Sequence, residues 1–343
     1  VTDIADLSTL LQNRLRAALA PDERVVWVGR PIAARYMTRA YGYPALAGST
    51  VYAVTSARVL LLGGDGEPDS IRSYAPAQLQ QLERTEHDGG WGDLILETEQ
   101  VSDGDGGVMT ERHGLLAVAD VRVAHGLVAA LAASLALAPA TAHPGFQKAL
   151  LAPAIPALPA GLRQALRAEL GADERLAWAA QPLPASYLKQ GFRKWFFYIP
   201  WTLFTLFLSV LGAPALWHTD VRGWELLLLV GVPLLLLWIG IHHLVQPFGM
   251  RKNALGVVHA ITSARALTID INGPLVVRTY APAGLLHALC AEGPGESGDL
   301  LLEAGFDEHT GIETQLHRHG FMGIDEVRHV ERLIGHLKQA PAA

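Results

Sequence analysis

The sequence predicts a mainly β chain with helices: two β-barrel or sandwich modules, each closed by a C-terminal helix, the second interrupted by a two-helix transmembrane hairpin. Three observations carry that expectation. The chain is written twice, short alternating apolar runs recur between turn residues in both copies, and only the second copy contains a pair of long uncharged segments. The first copy reads LQNRLRAALAPDERVVWVGRP over 11–31, and the second reads LRQALRAELGADERLAWAAQP over 162–182, an offset of 151. Further on, AVTSAR (53–58) returns as AITSAR (260–265) at offset 207, and RSYAPA (72–77) returns as RTYAPA (278–283) at offset 206. The Gly-Asp-Leu of 92–94 and the His-Gly of 113–114 recur at the same offset of 206, so the second copy carries one insertion. A repeat of this size in a 343-residue chain predicts two homologous domains. The boundaries are 1–138 for the first module, 139–160 for an Ala/Pro-rich semi-stiff linker, and 161–343 for the second module with an insert at 195–245.

Each element follows from its local pattern. Leu7, Leu10, Leu11, Leu15 and Leu19 make an apolar helical stripe, answered by Leu162, Leu166 and Leu170. A short strand with Trp27 or Trp178 comes next. Apolar runs at 51–54 and 59–62 flank Thr55-Ser56-Ala57-Arg58 as a hairpin, and strands are expected around 71–74, 78–84, 94–98 and 108–112. Gly-rich 63–69 and Asn272-Gly273-Pro274 mark equivalent turns. Val121, Ala124, Leu127, Val128 and Leu131 match Val327, Val330, Leu333, Ile334 and Leu337, a helical stripe that closes each module. A short helix is expected around Phe146–Leu151 in the linker.

The insert supplies the membrane expectation. Residues 195–217 contain no charged side chain and 226–245 no Asp, Glu, Lys or Arg, long enough for a bilayer core of roughly 30 Å. Lys189, Arg193, Lys194, Arg251 and Lys252 flank the two runs on one side, against Arg222 on the other. By charge asymmetry this predicts a two-pass protein of a bacterial inner membrane with both termini cytoplasmic. The same five residues are the candidate contacts for lipid headgroups. No cleavable secretory signal is expected, because the first residues lack a basic stretch followed by an apolar one.

Composition limits the remaining classes. The net charge of −6 falls entirely within 1–138, which has 11 Arg and no Lys against 17 acids. That balance argues against nucleic acid, which needs a basic face. Mean hydropathy is +0.23, high for a purely soluble chain. The single cysteine, Cys290, excludes an internal disulfide framework and reads as a small apolar residue.

The order Glu-Arg-x-x-Trp-x-x-x-Pro (23–31 and 174–182), then Thr-Ser-Ala-Arg, a Gly-Asp-Leu strand and a closing apolar helix resembles bacterial pleckstrin-homology-like (PH-like) domains. The resemblance covers both copies and implies a β-barrel or sandwich with a capping helix; it implies no catalytic residue. Its two-helix membrane hairpins interrupt the module after the Trp strand, where 195–245 lies.

Candidate sites were weighed on chemistry. His317 and His319, with Asp307, Glu308 and His309 nearby, have metal-ligating side chains, but the first copy keeps only His113, and strand histidines are the expected reading. His242 and His243 lack an acidic partner in either apolar run. Arg58 and Arg265 are expected to tie down loop carbonyls. Arg30, Arg35 and Arg39 form the only basic patch of the first copy. No catalytic residue, cofactor or metal is expected. The functional expectation is a non-enzymatic, membrane-anchored interaction or scaffold protein, with a lipid bilayer contacted through the hairpin, a protein partner and homo-oligomers. The alternatives are a lipid or peptide sensor at the cytoplasmic face and an accessory component of a transport or enzyme complex.

Overall fold

The computed structural model describes residues 4–39, 47–63, 70–102, 108–134, 144–151, 158–185, 195–212, 231–285, 288–303 and 319–338. The first repeat runs α1 (Thr9–Ala18), β1 (Val25–Gly29), α2 (Ala33–Arg39), β2 (Val51–Thr55), β3 (Val59–Leu62), β4 (Ile71–Tyr74), β5 (Gln81–Glu86), β6 (Gly92–Ser102), β7 (Val108–Val118) and α3 (Val121–Ala133). A linker helix, α4 (Pro144–Leu151), leads to the second repeat. That repeat runs α5 (Ala160–Glu169), β8 (Leu176–Ala180), α6 (Trp195–Gly212), α7 (Val232–Ala254), β9 (Val257–Thr262), β10 (Ala266–Asp270), β11 (Leu275–Tyr280), β12 (Leu289–Glu292), β13 (Gly298–Glu303), β14 (His319–Ile324) and α8 (Val327–Lys338).

Both repeats use one plan: four antiparallel strands, a 3-10 corner, three antiparallel strands and a closing helix. The four-stranded part is covered on both faces. In the first repeat, Leu7, Leu11 and Leu15 of the N-terminal segment pack with Val28, Val51, Ala53, Leu60 and Leu62 on one face. Trp27, Tyr52, Val54 and Leu61 face α3 on the other, with Val121, Ala124 and Val128. Burial on both faces is why β2 and β3 read as near-continuous apolar runs. The second repeat does the same with Leu162 and Leu166 on one side and Val327, Val330 and Ile334 on the other.

The expectation of closed, mainly β barrels is overturned. Among the described residues 45% are helical and 32% are in strands, and the sheets are open. The reason lies at the 3-10 corners. β5 does not pair with β4 across its corner; it pairs with β11 of the other repeat, from Gln81↔Tyr280 to Glu86↔Leu275. One seven-stranded sheet therefore runs through both repeats in the order β7-β6-β5-β11-β10-β9-β8.

The transmembrane hairpin is also overturned. Among the described residues no helix is long and apolar enough to cross a membrane. The described part of α6, Trp195–Gly212, has 18 residues, roughly 27 Å at the helical rise, against the roughly 30 Å of a bilayer core. α7 is longer, but His242 and His243 interrupt its apolar residues, and Gln246, Arg251, Lys252 and Asn253 follow. The two-pass inner-membrane placement with cytoplasmic termini loses its basis with the spans. Residues 213–230, which supply the rest of both apolar runs, lie outside the described set.

Candidate interaction site at the repeat seam and the apolar helix pair

The repeated motifs turn out to be structural ties, built identically in each copy. Arg58 donates through Nε and Nη2 to the Glu23 carboxylate, both at 2.9 Å, and through Nη2 to the Ala18 carbonyl at the end of α1. Thr55 Oγ1 donates to Glu23 and accepts from the Ala57 and Arg58 amides. Arg265, Glu174, Thr262 and the Glu169 carbonyl repeat every one of these contacts. The Arg58 hydrogen bond, above all, lowers the Glu23 pKa to about 2. Burial works against ionisation of Glu174, yet the Arg265 hydrogen bond and charge still hold its pKa below the ordinary value. Both arginines thus lock a helix end to a hairpin, the structural role expected from their turn position.

The glycines of the other two motifs permit close backbone approach. A Cβ on Gly92 would lie 1.8 Å from the Thr85 carbonyl oxygen, and one on Gly298 2.4 Å from that of Ala291. A Cβ on Gly114 would sit 2.1 Å from the Leu94 oxygen, and on Gly320 2.2 Å from that of Leu300. The neighbouring aspartates accept from a left-handed residue before each closing helix: Ala117 N to Asp93 at 2.7 Å and Gly323 N to Asp299 at 2.6 Å.

The seam between the repeats holds the densest buried charge. Arg84 on β5 is fully buried and donates to Glu169 of α5 and to His125 Nδ1 of α3, each at 3.1 Å through Nη1. Because arginine only donates, Nδ1 must be the acceptor and His125 is neutral. Burial and the charges of Arg84, Arg265 and Arg122 depress the His125 pKa to about 3. Glu86 lies 3.3 Å from Arg84 and 3.2 Å from Arg122. Arg278 of β11 donates to Glu83 of β5 at 2.8 Å, adding a cross-seam ion pair. Sequence reasoning missed this cluster. Its signal was a break in the repeat: Arg84 matches Cys290, and Glu169 matches Ala18.

The second candidate is the α6–α7 pair. Tyr198 stacks on His243 at 4.2 Å, and Trp201 Nε1 donates to the Leu236 carbonyl. Gly240 lies against Thr202, where a Cβ would be 2.4 Å from Oγ1. Ascending positions on α6 meet descending ones on α7, so the helices pack antiparallel. Their outer surfaces are apolar and exposed: Phe196 is 91% accessible and Trp238 63%, with Leu203, Phe207, Leu234, Ile241 and Val245 also open.

Of the five flanking basic residues, Lys189, Arg193 and Lys194 lie outside the described residues; Arg251 belongs to the end of α7 and Lys252 is exposed there. His317, Asp307, Glu308 and His309 also lie outside the described residues, and no metal-holding group occurs among the described residues. The first-repeat basic patch is divided: Arg30 donates to the Gly48 carbonyl, while Arg35 lies over the Trp91 ring at 4.9 Å. Comparison with known proteins gives no matching family model, no curated relative and no matching solved structure.

Proposed function

We propose that this chain is a non-enzymatic interaction protein, a scaffold that self-associates through the α6–α7 pair. The observation that carries this is the exposed apolar surface of the pair. A cluster of large apolar side chains left open in this way marks an association surface. Two antiparallel pairs packed together form a four-helix cluster, a common way for such helices to bury their faces. The duplicated motifs support a structural rather than catalytic role, because Arg58, Thr55, Glu23, Arg265, Thr262 and Glu174 are all engaged in internal ties.

Light scattering on the full chain across a concentration series tests the proposal. A concentration-dependent dimer that Phe207→Glu with Leu234→Glu converts to monomer supports it. A monomer at every concentration overturns it, and so does co-flotation with neutral phospholipid vesicles in place of self-association, which would make lipid the partner of the pair.

A further inference from the structure

The duplication makes each surface of one repeat a control for the same surface of the other, and one surface differs. In the second repeat, α4 lies across β8 and α8. Phe146 is fully buried in a core cluster with Ala177, Trp178, Leu333 and Ile334, and Ala149 and Leu150 pack at the edge of that cluster. Positions 146, 149 and 150 follow the i, i+3, i+4 spacing of a helix laid into a groove.

The first repeat presents the same surface without a cover among the described residues. Val26 stands where Ala177 stands in the second repeat, both at a β-bulge in the Trp strand. Ala177 is 1% exposed under α4, whereas Val26 is 55% exposed. On the closing helix the shift has the same direction. Leu127 is half-buried where Leu333 is buried, Ala130 is exposed where His336 is half-buried, and Val123 is exposed where His329 is half-buried. Four equivalent pairs on two elements all open together, which marks a shared missing cover rather than scattered surface variation.

We propose that the face of the first repeat between β1 and α3 is a helix-binding seat, which takes a basic amphipathic helix of a partner protein in the way that the second repeat takes α4. The geometry of the occupied copy defines the ligand: an apolar anchor at i with small or aliphatic residues at i+3 and i+4. The basic character follows from charge, since residues 1–138 carry the whole net −6 of the chain. The anchor is aliphatic rather than aromatic. Val26 places two more carbons than Ala177 on the floor of the seat, so a leucine-sized group fills the space that phenylalanine fills over alanine. The seat is separate from the α6–α7 pair, so the self-association reading can fail without affecting it.

The test uses the full chain and two fluorescein-labelled peptides, residues 141–155 of this sequence and the same peptide with Phe146→Leu, followed by fluorescence anisotropy. Saturable one-to-one binding is expected, with the leucine peptide at least as tight. Val26→Asp, at an exposed position that folding tolerates, should weaken it about tenfold or more, because it sets a carboxylate against an apolar anchor. Absence of saturable binding by either peptide overturns the proposal. Binding that Val26→Asp leaves unchanged also overturns it, because the peptide would then be exchanging with α4. A dimer abolished by Val26→Asp in the absence of peptide would replace the partner helix with a second copy of the chain.

Discussion

Glu169→Ala removes the carboxylate that faces Arg84 across the repeat seam. Arg84 has no accessible surface, and Glu169 is only 5% exposed in its side chain. Truncating one partner of such a pair strands the other charge, at a usual cost of about 3–5 kcal/mol. Here Glu86 remains 3.3 Å from the guanidinium and is itself partly open to water, which offsets some of that loss. The expected cost is about 2–4 kcal/mol of unfolding free energy. Urea titration of the full chain, read by far-UV circular dichroism and tryptophan fluorescence, measures it. The companion variant Arg84→Met with Glu169→Leu removes both charges and keeps the volume, so it should return to within about 1 kcal/mol of the parent. If Glu169→Ala costs under about 1 kcal/mol, the guanidinium is reached by water and the seam is not the closed contact described here. A double variant no better than Glu169→Ala alone would show that packing, not charge, was lost.

Two further outcomes follow from the geometry. Gly92→Ala sets a Cβ 1.8 Å from the Thr85 carbonyl oxygen, so β5 and β6 must separate; a cost of about 1–3 kcal/mol or more is expected in the same titration, while Gly126→Ala, which meets nothing within 4 Å, should be neutral or stabilising. Acid should weaken the fold well before carboxylates titrate, because burial lowers the pKa of both His125 and His259 to about 3 from an ordinary 6.5. Their unfolded forms take up protons below about pH 6.5 while the folded forms do not. The stabilisation is therefore fully present above that pH and is lost as pH falls toward 3, by about 2 kcal/mol per histidine at pH 5. Equal thermal midpoints at pH 7 and pH 5 would refute it.

The periodicity of the chain placed the repeated stripes and hairpin, because local spacing decides which residues share a face. It did not indicate α2, and the strand expected at 78–84 is β5 at Gln81–Glu86, behind a 3-10 corner at Pro76–Gln78. The helical stripes at Leu11 and Leu15 and at Val121, Ala124 and Val128 lie on α1 and α3, and the hairpin around Thr55-Ser56-Ala57-Arg58 joins β2 to β3. The structural reading of Arg58 and Arg265 was legible from their turn position, since a turn arginine commonly ties down carbonyls, whereas their Glu23 and Glu174 partners came only with the fold.

The apolar runs of the insert were legible as hydrophobic but not as spans. Composition counts uncharged residues, whereas a span requires an uninterrupted helix that is both long and apolar enough, and no helix among the described residues meets that requirement.

What the sequence determined by itself is the duplication and, within each copy, the helical stripes and the hairpin that repeat. What only the tertiary structure decided is how the repeats join. The pairing of β5 with β11 brings together strands nearly 200 residues apart, and backbone hydrogen bonds leave no residue signature that names the partner strand. Arg84 and Glu169 are unremarkable charges until that pairing buries them against each other, since their interaction depends on distance and desolvation, and neither quantity exists in a sequence.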